Sequence, residues 1–143
     1  MKIRVVGAPG TGKTTYAQQL AHTHTIPLIQ LDEIKFYSDY SVRSISQRKQ
    51  LFNTARKQRS WIMEGAFLLD FIQSFDDADV IVYLRCSFIK KAFRIVIRHL
   101  RRGDSVRSLF ALLRNAYSFD KRAQQSILSP EHPCFAKVII RDM

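Results

Sequence analysis

Gly7-Ala8-Pro9-Gly10-Thr11-Gly12-Lys13-Thr14 is the stretch that decides how this chain is read. It fits G-x-x-x-x-G-K-[ST], a pattern whose chemistry is the holding of a phosphate chain. Several backbone N–H groups must point inward at one anion, and glycines let the main chain turn tightly and approach closely with no Cβ in the way. A helix starting at about Lys13 turns its positive end toward the phosphates. The pattern assigns Gly7, Ala8, Pro9, Gly10, Thr11, Gly12, Lys13, Thr14 and Thr15 to nucleotide binding. Lys13 is expected to reach the β- and γ-phosphates, and the Thr14 hydroxyl to ligate Mg²⁺.

The flanks agree with the pattern. Lys2-Ile3-Arg4-Val5-Val6 before it is short and β-branched, as a buried strand requires. After it, Tyr16, Ala17, Leu20 and Ala21 fall on one helical face.

Working outward, 143 residues with 46% hydrophobic content make one globular domain, expected to span 1–143. No apolar run is long enough to span a bilayer, so no membrane partner is expected. The start of the chain is already strand and loop, which leaves no room for a signal peptide. Cys86 and Cys134 lie far apart with no metal spacing, so reduced thiols in a cytoplasm are expected. His22 and His24 are expected at the surface. The oligomeric state is left as monomer or dimer.

The net charge of +11 is unevenly placed. Residues 85–122 hold eleven Lys/Arg against Asp104 and Asp120, and residues 43–59 hold six Lys/Arg and no acid. Residues 64–84 carry Glu64, Asp70, Asp76, Asp77 and Asp79 with no base. A positive field of this size favours polyanions: nucleotides, phosphorylated substrates or nucleic acid.

Further strands are expected over 26–31, 61–65, 79–84 and 137–141, with helices over about 43–58, 87–102 and 105–123 and a short irregular or helical piece over 67–75. Strands alternating with helices imply right-handed crossovers, a parallel sheet and helices on both faces. Ligands then bind at the carboxyl ends of the strands, which places the loop, Asp32, Glu64-Gly65 and Arg85 along one rim.

Asp32, expected directly at the end of the second strand, can accept a proton from an acceptor hydroxyl or hold Mg²⁺ through water. Its neighbour Glu33 points away from it. Glu64 closes the third strand, where a phosphate-loop enzyme places an acid for the magnesium shell, although Glu there departs from the usual Asp. Asp70 is a weaker candidate, and Asp76, Asp77 and Asp79 are expected in a solvated turn. On the helix over 87–102, Lys90, Lys91, Arg94, Arg98, Arg101 and Arg102 share one arc. The opposite apolar arc, Phe88 through Leu100, is expected to be core. Arg94 and Arg98, one turn apart, are the choice for stabilising a transferring phosphoryl group. Basic residues over 43–59 border the second pocket. Tyr37, Tyr40, Phe67 and Trp61 are expected as core or rim more than as a stacking platform.

With these residues in place, the chain resembles the small P-loop kinases of the adenylate kinase and shikimate kinase group, and most of all the set known as DNA topology modulation proteins. The likeness rests on Gly7–Thr14, Ile26-Pro27 with Leu31-Asp32, Trp61-Ile62-Met63-Glu64-Gly65, Ala78–Leu84 and Arg94-x-x-x-Arg98. It implies a three-layer αβα fold with a five-stranded parallel sheet, ATP and Mg²⁺ binding, and a short helical lid over about 87–127. By the same likeness Asp32 contacts the acceptor, and Arg94 and Arg98 are lid arginines. The chain departs from these relatives in stopping just after the fifth strand, without a closing helix, and in having no zinc-binding Cys cluster in the lid. Two functions are expected to compete: ATP-dependent phosphoryl transfer to a nucleoside, nucleotide or other hydroxyl compound, and an ATP-dependent nucleic-acid-binding regulator.

Overall fold

The computed structural model describes residues 1–66, 69–103 and 105–143. Five strands form one parallel sheet in the order β2-β3-β1-β4-β5: β1 (Lys2–Gly7), β2 (Leu28–Gln30), β3 (Trp61–Glu64), β4 (Val80–Arg85) and β5 (Val138–Asp142). Helices α1 (Lys13–His24), α2 (Leu31–Lys35), α3 (Ile45–Arg56), α4 (Gln73–Asp77), α5 (Phe88–Arg102) and α6 (Val106–Gln124) connect them. This is the α/β three-layer, five-stranded parallel architecture that the sequence implies.

Central strands read as almost unbroken apolar runs because both of their faces are covered. Ile3, Val5, Ile62, Val82 and Leu84 pack on one side with Ala17, Leu20 and Tyr16 of α1. Val6, Trp61, Met63, Ile81 and Tyr83 pack on the other with α2, α3, α4 and α6, through Leu31, Phe52, Phe75, Phe119 and Ala123. Alternation along each strand produces the division. The signal for α3 is its start, where the Ser44 side chain accepts from the Gln47 amide and Gln47 reaches back to the Ser44 backbone, a reciprocal cap that satisfies two free helix-end donors.

Three expectations are corrected. Residues 31–35 are a short helix, not the end of a strand, so Asp32 lies in a helical first turn and is exposed. The acids at 76–79 are solvent-facing as expected but are not a free turn, since they lie at the end of α4 and just after it and are engaged by Arg56, Lys137 and Lys2. Asp77 takes two hydrogen bonds from Arg56 at 2.6 and 2.9 Å, the Asp76 carbonyl accepts from Lys137, and Asp79 accepts from the Lys2 amide. Of the apolar arc of the helix over 87–102, only Ile95 is buried in the core. The buried stripe of α5 is Lys91, Ile95 and His99, while Ile89, Phe93 and Leu100 are 81%, 66% and 75% exposed. α5 follows β4 and meets the loop and α6 along that stripe and its edges. Phe67 and Asp104 lie outside the described residues.

Lys91, placed by its spacing in the basic arc, is 1% exposed. Its Nζ donates to Asp120 Oδ2 at 2.7 Å and to the Ala116 carbonyl at 3.1 Å. The Tyr83 hydroxyl donates to the other Asp120 oxygen at 2.6 Å. Burial, reinforced by the Asp120 charge, pushes the Tyr83 phenol well above its ordinary range. One carboxylate thus ties β4, α5 and α6 together. Removing one partner of a buried ion pair leaves an uncompensated charge. Asp120→Ala is therefore expected to lower the unfolding free energy in urea by about 3 kcal/mol, and the double change Lys91→Met with Asp120→Leu to recover most of it.

Candidate nucleotide and phosphoryl-transfer site

β1 delivers the loop from the middle of the sheet, beside β3 and β4. Val6 and Ala8 are fully buried, so the loop is anchored before it turns. Thr11 caps the turn: its amide and its hydroxyl both donate to the Ala8 carbonyl, at 3.3 and 2.9 Å. Gly10 and Gly12 hold φ of 82° and 89°, a left-handed backbone that side-chain-bearing residues reach only with strain. Gly12 is also the residue that caps α1. At Gly10 a Cβ would sit 2.7 Å from the Lys91 carbonyl oxygen, so the loop packs directly on the main chain of α5.

Charged groups converge at the open end. The Lys13 ammonium donates to the Ala8 carbonyl at 3.4 Å. Burial pulls it below the ordinary lysine range, and the Glu64 and Asp32 charges oppose that pull. Thr14 Oγ1 donates to Glu64 Oε1 at 3.1 Å. Glu64 is 1% exposed, and its second oxygen, Oε2, is buried with no hydrogen-bond partner among the described residues. Burial raises the Glu64 carboxyl above the ordinary glutamate range, against the charge of Lys13 and the bond from Thr14.

Arg94 reaches over the loop from α5, its Nη1 donating to the carbonyls of Gly10 at 3.3 Å and Thr11 at 3.2 Å. Arg98 lies near enough for its charge to act on Lys13. Asp32, although on α2, acts electrostatically on Lys13, Glu64 and Arg4. The fold therefore gathers Lys13, Thr14, Glu64 and Arg94 at the loop, with Asp32 and Arg98 near enough for their charges to bear on Lys13. Thr15 is exposed on the first turn of α1. Asp70 is engaged by Lys35 in an ion pair, and Glu33 accepts from Gln30. Of the basic residues on and around α3, Arg56 is committed to Asp77, and Arg43 lies over the Tyr37 ring at 4.0 Å. Trp61 is core; Tyr40 is exposed.

Sequence reasoning missed Arg4. Its side chain is fully buried beneath the site. It donates to the carbonyls of Val5 at 2.6 Å and Gly65 at 3.1 Å and to the Ser74 hydroxyl at 3.1 Å, and it faces the Phe75 ring. Burial pulls its guanidinium down to about 9, opposed by Glu64 and then Asp32. The available signal was a charged residue in the centre of an apolar strand.

The chain resembles several solved structures along nearly its whole length. The gluconokinase of Sinorhizobium meliloti 1021 superposes with TM-score 0.62 at 18% identity, covering 99% of this chain and 81% of that one. The deoxyadenosine kinase of M. mycoides with bound dATP gives 0.61 at 15%, covering 99% and 91%. The shikimate kinase of Acinetobacter baumannii in complex with shikimate gives 0.60 at 17%, covering 99% and 84%. At such identities the likeness is one of fold. No curated protein matches the chain by sequence. A family model does match residues 3–95, which hold the loop, Asp32, Glu64 and Arg94. With that span covered and the sheet of a P-loop nucleotide-binding protein around it, the chain belongs to the ATPase family associated with various cellular activities (AAA).

Proposed function

We propose that this chain is an ATP-dependent kinase that moves the γ-phosphoryl group to a hydroxyl of a small acceptor such as a nucleoside, a nucleotide or another metabolite. The observation that carries the reading is the pairing under the loop. Thr14 is bonded to one oxygen of Glu64, the other oxygen is buried with no partner among the described residues, and the Lys13 charge acts on that carboxylate. A hydroxyl and a carboxylate are the hard oxygen donors that Mg²⁺ prefers. Thr14 and Glu64 would hold the ion, which supplies neutralisation of phosphate charge. The names of the three similar structures, all kinases of small hydroxyl compounds, support the same class.

The roles follow from position. Loop amides from Gly7 to Thr15 and the Lys13 ammonium bind the phosphates. Asp32 orients the acceptor and takes its hydroxyl proton. Arg94 and Arg98 stabilise charge that develops on the transferred group, and a guanidinium has donors to spare after bonding two carbonyls. In this reading residues 1–143 act as one catalytic domain with α5 and α6 as its lid, in a reducing cytoplasm that suits two free buried thiols. The reading as a nucleic-acid-binding regulator rests on the net charge of +11. It requires duplex affinity that falls steeply with salt.

Lys13→Ala is expected to cut phosphoryl transfer by at least about a hundredfold while the far-UV spectrum and melting curve stay those of the parent. Transfer at the parental rate by purified Lys13→Ala sinks the mechanism. Glu64 gives a pH-dependent counterpart. Its folded-state pKa lies above its unfolded value, so its contribution to stability is fully present below the ordinary glutamate range and is lost as pH rises through the folded pKa. Without nucleotide, Glu64→Gln is expected to melt higher than the parent at neutral pH and to match it in acid. The same variant is expected to lose the extra melting temperature that Mg²⁺ with ATP gives the parent.

A further inference from the structure

The face of the α5–α6 hairpin turned away from the loop has no counterpart in the core. On α5, Ile89, Phe93, Val96 and Leu100 follow one another at i, i+4, i+7 and i+11; on α6, Val106, Phe110, Leu113 and Tyr117 do the same. That spacing puts each set on a single stripe about 16 Å long. Lys91 near the start of α5 is bonded to Ala116 and Asp120 near the end of α6, so the helices run antiparallel and the stripes lie side by side. Phe88 meets Tyr117 edge to face at 5.5 Å and closes the seam between them. Val106, Phe110 and Tyr117 are 66%, 68% and 74% exposed. With Ile89, Phe93, Leu100 and Phe88 they present on the order of 800 Å² of apolar surface, above the roughly 300–600 Å² of the largest patch on an ordinary monomer.

Charge identifies the occupant. At about 100° per residue, Lys90 and Arg101 border the α5 stripe, and Arg107, Arg114 and Lys121 border the α6 stripe at seven-residue spacing. All five are exposed, and none is in a salt bridge among the described residues. The one carboxylate on either helix, Asp120, is turned inward to Lys91 and Tyr83. A second copy of this face would set basic edges against basic edges, with no outward-facing acid on either helix to offset them. A nucleic-acid backbone would leave the apolar centre uncovered. An anionic bilayer satisfies both parts: acyl chains accept Phe, Ile, Leu and Val, and long Lys and Arg stems let their charges rise to the phosphates. No helix is long and apolar enough to cross a membrane, so the hairpin would lie along the surface.

We infer that the outer face of the α5–α6 hairpin docks on negatively charged lipid, against the sequence expectation of no membrane partner. The test is flotation of the full chain with vesicles of phosphatidylcholine and phosphatidylglycerol in equal parts, against vesicles of phosphatidylcholine alone. The parent is expected to float with the mixed vesicles and stay behind with the neutral ones, and raising the salt is expected to release it. Phe93→Asp with Phe110→Asp is expected to reduce the floated fraction about tenfold or more, and Arg107→Glu with Arg114→Glu to act likewise. All four side chains are exposed, so melting curves are expected to stay parental and to exclude misfolding as the cause. Lys13→Ala, which probes the nucleotide site, is expected to float like the parent. The inference is overturned if the parent ignores mixed vesicles or if the Phe93→Asp, Phe110→Asp variant floats equally well. It is also overturned if the parent ignores vesicles while forming a dimer that those changes split, or while binding an acidic amphipathic peptide.

Discussion

The contact between Gly10 and the main chain of α5 is the constraint on which the site depends. With a Cβ position only 2.7 Å from the Lys91 carbonyl oxygen, the loop and the helix leave no space between them. That closeness fixes where α5 begins, and Lys91 then carries the same restraint to α6 and β4 through Asp120. Loop shape and the placement of α5 are thus one packing problem. The buried ion pair stabilises little by itself, since desolvation offsets much of the Coulomb gain. What it does is join three elements at one carboxylate, since Asp120 of α6 accepts from both Tyr83 of β4 and Lys91 of α5.

Below the loop, charges are layered by depth. Arg4 lies deepest, Glu64 and Lys13 sit above it, and Asp32 is at the rim. Arg4, Lys13 and Glu64 are displaced from their solution behaviour by the loss of water more than by any neighbour, since burial is the leading cause for all three. Interactions among such groups are stronger than they would be in water, and a group with an unmet hydrogen bond there is costly. A pocket of this kind favours a ligand that brings both negative charge and a small cation.

Much of this was legible in the chain. The loop motif, the alternation of strands and helices, and the burial of 80–84 follow from local pattern, because backbone demands at glycine and β-branched runs act over a few residues. The misreadings share a cause: they needed knowledge of what stands opposite. Lys91 falls in a basic arc by spacing, and only Asp120, 29 positions later, makes its burial tolerable. Arg4 looks misplaced in an apolar strand until Gly65 and Ser74 supply acceptors. The apolar arc of α5 was taken for core because periodicity shows that a face is apolar and is silent on whether anything covers it. Asp32 keeps its neighbourhood although its local element is a helix, since the turn after β2 is set by where Leu31 and Ile34 are buried.

The bond from Arg94 to the carbonyls of Gly10 and Thr11 has a consequence for kinetics. A flap that swings in from afar must surrender conformational entropy when it shuts, and that loss weakens affinity. Here the guanidinium is already latched to the cradle, so most of that ordering belongs to folding and little is left for capture. Under the proposed role, arrival of a nucleotide would then resemble seating a key in a finished lock, and departure would call for a brief loosening of one arginine.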